Sequence, residues 1–219
     1  MIRRIVCLSA EAADICARLG AWDRVVAVSA YADQTGRNRR PVVAGFSSGD
    51  ATRVVECRPD IVITFSDVQA EISAQIIRAG IPVLATNQRS LAEITAAIRM
   101  IGGAIGCAAE AEMLVEGFEA ELSAFHSEPA RRPRVYFEEW DEPMVSGIGW
   151  VCEIIALTGG EDVFAKRCAK AARNRIVQRE EVISANPDII LASWCGKTVA
   201  LAAIPSRDGF AAISPVRTG

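Results

Sequence analysis

The amino-acid sequence predicts an α/β protein made of two βα lobes with parallel sheets. Three observations predict this fold: a repeated segment, an alternation of short strands and helices, and a long helical stretch between the two copies of the repeat. The repeated segment reads RPDIVITF at residues 58–65 and NPDIILAS at residues 186–193. Each copy continues from a short amphipathic helix into an apolar strand, which is typical of a strand buried on both faces of a parallel sheet. Two such copies predict two similar lobes with a ligand cleft between them.

In the first lobe, strands and helices alternate from the N-terminus onward. Gly20 and Gly80 are expected to end two of the helices, and Asp50 is placed to cap a third. The predicted strands span residues 5–9, 25–29, 41–44, 61–65 and 82–86, and the predicted helices span residues 11–19, 51–57 and 69–79. This βαβ alternation predicts a parallel sheet with right-handed crossovers.

The middle of the chain is almost continuously helical in pattern, from Ser90 to His126. Gly102, Gly103 and Gly106 are expected to break or kink this stretch. We interpret it as a helix that links the two lobes. A long helix packed inside one domain is the alternative.

A second series of strands and helices begins near residue 133. Its strands are predicted at residues 135–139, 176–177 and 189–193, and its helices at residues 150–157 and 180–185. The expected organisation is a first lobe at residues 1–89, a linking helix at residues 90–128 and a second, shortened lobe at residues 129–219.

The composition argues against several classes of protein. The chain has 219 residues, of which 51% are hydrophobic and 23% charged, as in a folded globular protein. Its net charge of −3 argues against a nucleic-acid-binding protein, because such proteins are usually basic. No apolar run approaches the roughly 20 residues that a membrane span needs, and the sequence opens on a strand-like run without a leader. The chain as it stands is therefore predicted to be cytoplasmic, unless a leader has been removed.

Seven cysteines are spread along the chain, and none belongs to a Cys-x-x-Cys pair. The number is odd and the only histidine is His126, so the sequence does not indicate a structural zinc site. We interpret the cysteines as free, mostly buried thiols of a reducing compartment.

Four large aromatic residues come directly after predicted strands. They are Tyr31, Phe46, Trp140 and Trp194. Ligands of open α/β sheets bind beyond the carboxyl ends of the strands, so we predict that these residues line the cleft, two from each lobe. Aromatic surfaces of this size suit a large planar or macrocyclic ligand. The alternative is that each side chain only covers the core at the end of its strand.

The sequence contains no constellation typical of catalysis, so we expect no catalytic residues, no catalytic cofactor and no metal site. It has no Gly-x-Ser-x-Gly nucleophile elbow and no glycine-rich nucleotide loop after the first strand. Weaker candidates are Ser146–Gly149 as an anion site, the acidic cluster around Trp140 as a cation site, and Cys195 as a metal ligand or reactive thiol. A solvated strand end explains the acidic cluster equally well, and no base is evident for Cys195.

Over nearly its whole length the chain resembles the periplasmic binding proteins of the vitamin B12 and iron–siderophore type. The resemblance rests on the order and spacing of RIVCLSA at residues 4–10, DRVVAVSAY at 23–31, VAGFS at 43–47, RPDIV at 58–62, LTGGEDVF at 157–164, REEV at 179–182 and NPDI at 186–189. Members of that family have two Rossmann-like lobes joined by one long helix. The resemblance implies capture of a ligand in the cleft, without catalysis, and its delivery to the permease of an ABC importer.

The resemblance also implies which residues meet the permease. The family docks through one exposed glutamate on each lobe, and Glu180 matches the position on the second lobe. Thr52 stands at the first-lobe position, where Asp50 or Glu56 could substitute. The family is exported, so the resemblance implies a periplasmic protein if a leader has been removed. Residues 207–217 resemble a segment that usually precedes a last strand and helix, so one wall of the second lobe's cleft is expected to be missing or supplied by a partner chain.

The leading hypothesis is a non-catalytic substrate-binding protein for cobalamin or another corrinoid, or for another large metal chelate such as a siderophore or haem. The alternative is a cytosolic enzyme or sensor on the same fold, which handles a metal or a corrinoid through the acidic cluster or Cys195. A third interpretation is an interaction module whose homodimer completes the short second lobe.

Overall fold

The computed structural model describes residues 2–46, 48–127, 129–168, 171–213 and 215. The chain divides into two compact units. The first unit comprises Met1–Gln88 and Ala92–Glu119, and the second comprises Arg89–Leu91 and Ala120–Gly219. The division into lobe, linking helix and lobe that the sequence predicts stays a prediction.

Some predicted features fall partly outside the described residues. The VAGFS stretch at residues 43–47 includes Ser47, and the end of the expected linking helix at residue 128 is Glu128. The segment at residues 207–217 includes residues 214, 216 and 217, which are also not among the described residues.

Five parallel strands form the sheet of the first unit, in the order β3-β2-β1-β4-β5. They are β1 (Ile5–Cys7), β2 (Val25–Ser29), β3 (Val42–Ala44), β4 (Ile61–Phe65) and β5 (Val83–Thr86). The central strands consist largely of buried β-branched residues, which favour a sheet covered on both faces. The strands lie close to their predicted bounds, so the parallel sheet predicted for the first lobe is confirmed.

Three short helices connect these strands: α1 (Ala10–Arg18), α2 (Ala51–Glu56) and α3 (Ala70–Arg78). Helix α2 begins at Ala51 and is capped as predicted by Asp50, whose carboxylate accepts hydrogen bonds from the amides of Thr52 and Arg53 at 2.9 and 3.3 Å. Gly20 and Gly80 follow the ends of α1 and α3 with φ angles of 70° and 80°. Glycine enters this left-handed region without steric cost, which explains why both helices stop there.

The long helical stretch consists of two helices, α4 (Leu91–Ile105) and α5 (Ala108–Ala124). Gly106 separates them with a φ angle of 75°, so the predicted break occurs at this glycine. Gly102 lets the two helices approach closely, because a Cβ there would overlap the Ala111 side chain of α5.

Helices cover both faces of the first sheet. Buried residues of α1, α4 and α5 share one apolar core with β1, β2 and β4. Buried residues of α2 and α3 form a second core with the opposite face of the same strands. The first unit is therefore a three-layer α/β structure, and the α/β fold class predicted from the sequence is confirmed.

The second unit is built around one long strand. Its strands are β6 (Arg134–Asp141), β7 (Met144–Ser146), β8 (Glu161–Asp162) and β9 (Ile189–Ala192), and its helices are α6 (Gly149–Leu157) and α7 (Arg179–Ala185). Strand β9 runs parallel to β6 along one edge, and β8 runs parallel to it along the other. The unit thus keeps a parallel core around β6.

Strand β7 departs from the predicted parallel sheet, because it pairs with β6 in the antiparallel direction. Only Glu142 and Pro143 separate the two strands, and so short a connection allows a hairpin but not a parallel crossover. The strand predicted at residues 176–177 is also wrong, since Ile176 makes only an isolated bridge to Val145.

Two of the seven cysteines form a disulfide, so the interpretation of all seven as free thiols is wrong for this pair. Cys152 of α6 and Cys168, which follows a 3₁₀ turn after β8, are 16 residues apart in sequence, and their Cα atoms lie 6.3 Å apart. This distance is within the normal disulfide range, whereas the wide spacing gave no signal in the sequence. The free cysteines are Cys7, Cys16 and Cys107, which are buried, Cys57, which is partly buried, and Cys195, which is exposed.

Across the described residues, no helix combines the length and the apolarity that a bilayer span requires.

Candidate ligand-binding site

Two aromatic side chains stand side by side at the carboxyl edge of the first sheet. Tyr31 follows β2 and Phe46 follows β3, and the two strand ends are joined by a hydrogen bond from the amide of Ala30 to the carbonyl of Ala44 at 2.8 Å. The ring centroids are 6.5 Å apart with an interplanar angle of 82°. Tyr31 is 50% exposed and Phe46 is 52% exposed. The structure therefore brings these two predicted site residues together and leaves about half of each surface open to a ligand.

A buried glutamine fixes the loop that carries Phe46. The side-chain amide of Gln69 donates hydrogen bonds to the carbonyls of Phe46 at 3.0 Å and Leu8 at 2.8 Å. Its side-chain oxygen accepts a hydrogen bond from the amide of Phe65 at 2.9 Å. Gln69 thus connects the ends of β1 and β4 to the loop of Phe46, and it uses both amide hydrogens and its carbonyl oxygen to do so.

The two candidate tryptophans of the second unit, Trp140 and Trp194, both contact one lysine. Lys197 Nζ lies 4.2 Å from the ring centroid of Trp140 and 4.9 Å from that of Trp194, which is cation–π geometry. Trp140 is partly buried, and its indole N–H donates to the carbonyl of Glu142 at 2.9 Å. Trp194 is only 6% exposed. The structure therefore places Trp140 at the surface and Trp194 in the core of its unit.

A buried carboxylate explains why Trp194 points inward. Glu138 of β6 is fully buried and accepts a hydrogen bond from the Trp194 indole at 3.0 Å. Arg207 donates to the same carboxylate in a bidentate pair, with one bond of 2.9 Å. The Tyr136 hydroxyl also donates a hydrogen bond to this carboxylate, at 3.1 Å. Burial is the main cause that raises the pKa of the Tyr136 phenol, and the charge of Glu138 is the second. The charge of Glu138 is neutralised by Arg207, as a buried carboxylate requires.

The acidic cluster around Trp140 is largely paired with cationic side chains. Glu139 forms two hydrogen bonds of 2.7 and 2.9 Å with Arg175, which is buried. Asp141 lies 2.5 Å from Lys197, and this hydrogen bond lowers the pKa of the Asp141 carboxyl group. With Glu138 also paired, three of the four acidic residues in the cluster already have a cationic partner.

The other two candidate sites also receive little support from the geometry. Ser146–Gly149 is buried, and a Cβ added to Gly149 would overlap the carbonyl oxygen of Arg89, so these amides do not face an open anion site. Desolvation, with the nearby Glu139 charge, raises the pKa of the Cys195 thiol, which disfavours the reactive thiolate.

A cavity of about 280 Å³ opens within the second unit beside the β6–β7 turn. Its lining combines the carboxylates of Asp141 and Glu142 with the guanidinium groups of Arg179 and Arg207. The volume is near the lower limit of typical ligand pockets, which suits a polar side group better than a whole macrocycle.

Comparison with known proteins identifies the family. The sequence profile described as periplasmic binding protein matches residues 5–219. The chain belongs to the periplasmic binding protein family. A vitamin B12-binding protein of Vibrio parahaemolyticus serotype O3:K6 is 23% identical over 200 residues, which cover 88% of this chain and 71% of that protein.

Solved structures share the fold of this periplasmic binding protein. The periplasmic heme-binding protein RhuT from Roseiflexus sp. RS-1 superposes with a TM-score of 0.83 at 24% identity, covering 99% of this chain and 86% of that one. The periplasmic vitamin B12 binding protein BtuF of Vibrio cholerae gives a TM-score of 0.75 at 19% identity, covering 99% and 85%. At these identities the similarity establishes the fold.

The residues expected to dock a permease lie on the surface of this periplasmic binding protein. Glu180 is in the first turn of α7, and its side chain is 75% exposed. Thr52 and Glu56 of α2 are also exposed. Thr52 is uncharged, and the carboxylate of Asp50 caps α2. Among the three candidates of the first unit, Glu56 is therefore the acidic residue that does not cap the helix.

Three residues with a part in this geometry were missed by sequence reasoning: Gln69, Lys197 and Arg207. Gln69 had a usable signal, because a glutamine just after the end of a buried strand can reach the carboxyl edge of the sheet. Lys197 and Arg207 gave no such signal, since their partners are 56 and 69 residues away in sequence.

Proposed function

We propose that this protein is the non-catalytic substrate-binding component of an ABC importer and that its ligand is cobalamin, another corrinoid or another large metal chelate such as haem or a siderophore complex. The observation that carries the proposal is the exposed pair of Tyr31 and Phe46 at the carboxyl ends of β2 and β3. The names of the relatives support this class of ligand, because they include vitamin B12-binding and heme-binding proteins.

The perpendicular arrangement of the pair suits a flat ligand. One ring can stack on the face of a macrocycle while the other presents its edge, and both geometries are favourable for aromatic systems. Each such contact contributes about 0.5–1.5 kcal/mol beyond the apolar area that it buries.

In the second unit we propose that Trp140 contacts the ligand. Trp194 would support Trp140 from the core of the unit. The small exposed fraction of Trp194 favours this supporting role, since the ring contacts Lys197 on one side and Glu138 through its indole N–H. The cavity beside Asp141 and Arg207 would receive a polar side group of the ligand.

Delivery to a permease would use Glu180, with Glu56 as the acidic residue of the first unit. Both are exposed, as a docking carboxylate has to be. We further propose that the protein acts in the periplasm, like its family. The disulfide between Cys152 and Cys168 supports that compartment, because disulfides persist in oxidising environments. A homodimer stays a prediction.

The alternative of a metal-handling enzyme or sensor lacks a supporting observation among the groups that suggested it. The acidic cluster is largely paired with cations, and the Cys195 thiol has a raised pKa. For these reasons we propose binding without catalysis.

Titration of the purified chain with cobalamin, haem and a ferric siderophore, followed by isothermal calorimetry, tests the proposal. We expect at least one of these ligands to bind with a Kd below about 100 μM, which corresponds to roughly −5.5 kcal/mol. If all three bind more weakly than this, the proposal fails.

Variants at the aromatic pair test the site itself. Phe46→Ala and Tyr31→Ala should each weaken binding about threefold to tenfold, since each removes one aromatic contact worth about 0.5–1.5 kcal/mol. Phe125→Ala is the matched control, because Phe125 is 65% exposed but lies outside the proposed site. Equal losses in Phe46→Ala and Phe125→Ala would show that the pair does not form the site.

A further inference from the structure

Two cysteines and one aspartate form a compact cluster in the second unit. Cys152 lies in the first turn of α6, Asp162 ends β8, and Cys168 follows the 3₁₀ turn Ala165–Arg167. Their sulfur and carboxylate atoms all lie within 4.8 Å of one another. Asp162 and Cys168 are buried at 7% and 4% exposure, and Cys152 is partly exposed. The cluster shares no residue with the proposed ligand site.

One oxygen of Asp162 has no conventional donor while the disulfide is closed. Oδ1 accepts a hydrogen bond from the amide of Phe164 at 2.7 Å. Oδ2 lies 3.3 Å from the sulfur of Cys152 and 3.8 Å from that of Cys168, and a disulfide carries no S–H group. None of the described residues gives this oxygen an N–H or O–H donor. A buried carboxylate oxygen in this state is costly, which indicates that it serves another state of the cluster.

We propose that Cys152, Cys168 and Asp162 bind one divalent cation with the ligand preferences of Zn²⁺ when the two cysteines are reduced, with water as the fourth ligand. Two thiolates and one carboxylate are a zinc-type donor set, and three protein ligands plus water complete a tetrahedron. Zn–S bonds of about 2.3 Å place two sulfurs about 3.8 Å apart in a tetrahedral site. The Cα separation of 6.3 Å is compatible with that spacing through side-chain rotation.

The disulfide and the metal site are alternative states of the same cysteines. A phosphine reductant opens the S–S bond with one water molecule and yields two thiols and a phosphine oxide. Each thiol then releases its proton to solvent as its sulfur binds the cation, so two protons leave for each ion bound. The two thiolates and the Asp162 carboxylate supply three negative charges against the two positive charges of the ion.

Two features of the surroundings suit metal binding once the disulfide has been reduced. The helix N-terminus at Cys152 stabilises a negatively charged sulfur. The partial exposure of Cys152 gives the ion a route from solvent, while the burial of Asp162 and Cys168 excludes competing water from the other two ligands.

Zinc titration of the phosphine-reduced full chain against a chromogenic chelator tests the proposal. We expect one Zn²⁺ per chain in the reduced protein and none at this site in the oxidised protein. Cys168→Ser should weaken zinc binding about 100-fold or more, and Asp162→Asn about 10-fold or more. Replacing residues that only contact the ligands of a metal already lowers its affinity by about 10- to 100-fold, so loss of a direct ligand should cost at least as much. Cys195→Ser and Cys57→Ser are the controls and should bind like the unaltered chain, because neither residue belongs to the cluster.

Cobalt binding provides a second measurement that does not depend on the stability of the buried variants. Co²⁺ in the reduced chain should show thiolate-to-metal charge-transfer absorption, which Cys152→Ser should reduce, since Cys152 is partly exposed and tolerates a small polar replacement. Absence of a stoichiometric ion in the reduced chain would overturn the proposal. So would full affinity in Cys168→Ser or Asp162→Asn, or loss of the ion in Cys195→Ser.

Discussion

The two copies of the Pro-Asp segment form the same turn. In the first copy the Asp60 carboxylate accepts hydrogen bonds from the amides of Arg3 and Arg4 at 2.7 and 2.9 Å, next to the start of β1. In the second copy the Asp188 carboxylate accepts one from the amide of Arg134 at 2.8 Å, at the start of β6. Each aspartate therefore ties its own strand to the beginning of the neighbouring parallel strand.

The strands that follow these turns differ in burial. Strand β4 lies between β1 and β5, and four of its five residues are buried. Strand β9 pairs only with β6 in the described part of the chain, and its Ile189 and Leu191 are 39% and 44% exposed. The repeated sequence thus determines the turn, whereas the elements packed around each copy determine how deeply its strand is buried.

The cores of the two units differ as well. The sheet of the first unit packs between apolar clusters. The second unit also has apolar clusters, but it adds a fully buried carboxylate, Glu138, which is paired with Arg207. The core of the second unit therefore depends in part on a buried charge pair.

The largest expected effect comes from breaking that pair. Glu138→Gln keeps the size of the side chain but leaves Arg207 without its anionic partner, and Arg207 is only 16% exposed. Removing one member of a buried pair typically lowers the free energy of unfolding by about 3–5 kcal/mol. Urea unfolding followed by circular dichroism measures this change.

The first unit offers a matched control. Glu112 pairs with Arg99 at 3.0 Å, but both side chains are about half exposed, at 53% and 43%. Glu112→Gln should change the free energy of unfolding by about 0.5 kcal/mol or less. Similar losses in Glu138→Gln and Glu112→Gln would contradict the contrast between the two cores.

Truncation to alanine at equivalent apolar positions of the two copies should lower the free energy of unfolding by different amounts. Ile63 and Leu191 occupy the same place in the two copies, but Ile63 is fully buried and Leu191 is 44% exposed. Ile63→Ala should cost about 2–5 kcal/mol, because it leaves a cavity in the core. Leu191→Ala should cost about 1 kcal/mol, in proportion to the smaller apolar area that it buries. Equal costs in urea unfolding would mean that the exposed face of β9 is covered in solution.

The first sheet was predictable because its signals are local. Gly20 and Gly80 end helices, Asp50 caps one, and β-branched runs mark the strands, so each element can be recognised within its own few residues. The second unit was harder to predict. Strand β7 has three residues and β8 has two, which is too short for a periodic signal.

Only part of the candidate site was predictable. Tyr31 and Phe46 could be expected to meet, because they follow neighbouring parallel strands. The position of a residue at a strand end does not tell whether its side chain points outward, and Trp194 points into the core towards Glu138, 56 residues away in sequence. The disulfide could not be predicted for a similar reason, since tertiary packing alone brings Cys152 and Cys168 together.

Replacing the aspartate of the turn should destabilise the protein by similar amounts in the two copies. Hydrogen bonds from backbone amides lower the pKa values of Asp60 and Asp188 below the ordinary value of 3.8. The ionised carboxylates therefore stabilise the fold above pH 3.8, and this contribution disappears as the pH falls through the folded-state pKa. Asp60→Asn and Asp188→Asn should both lower the urea midpoint at pH 7, by similar amounts. At pH 3 the urea midpoint of each variant should lie closer to that of the unaltered chain than it does at pH 7. A difference in midpoint that does not change with pH would show that the carboxylate charge does not stabilise the turn.

The smallest expected effect lies at the residue before each proline. Arg58 and Asn186 both adopt left-handed backbone conformations, with φ angles of 45° and 38°. Asparagine tolerates this region better than arginine does, so the strain is larger in the first copy. Arg58→Gly should raise the free energy of unfolding by about 0.5 kcal/mol, because relief of strain exceeds the added entropy of the unfolded chain. Asn186→Gly should leave it nearly unchanged. A loss of stability in Arg58→Gly would mean that the exposed arginine side chain makes a favourable interaction large enough to offset the strain of its backbone.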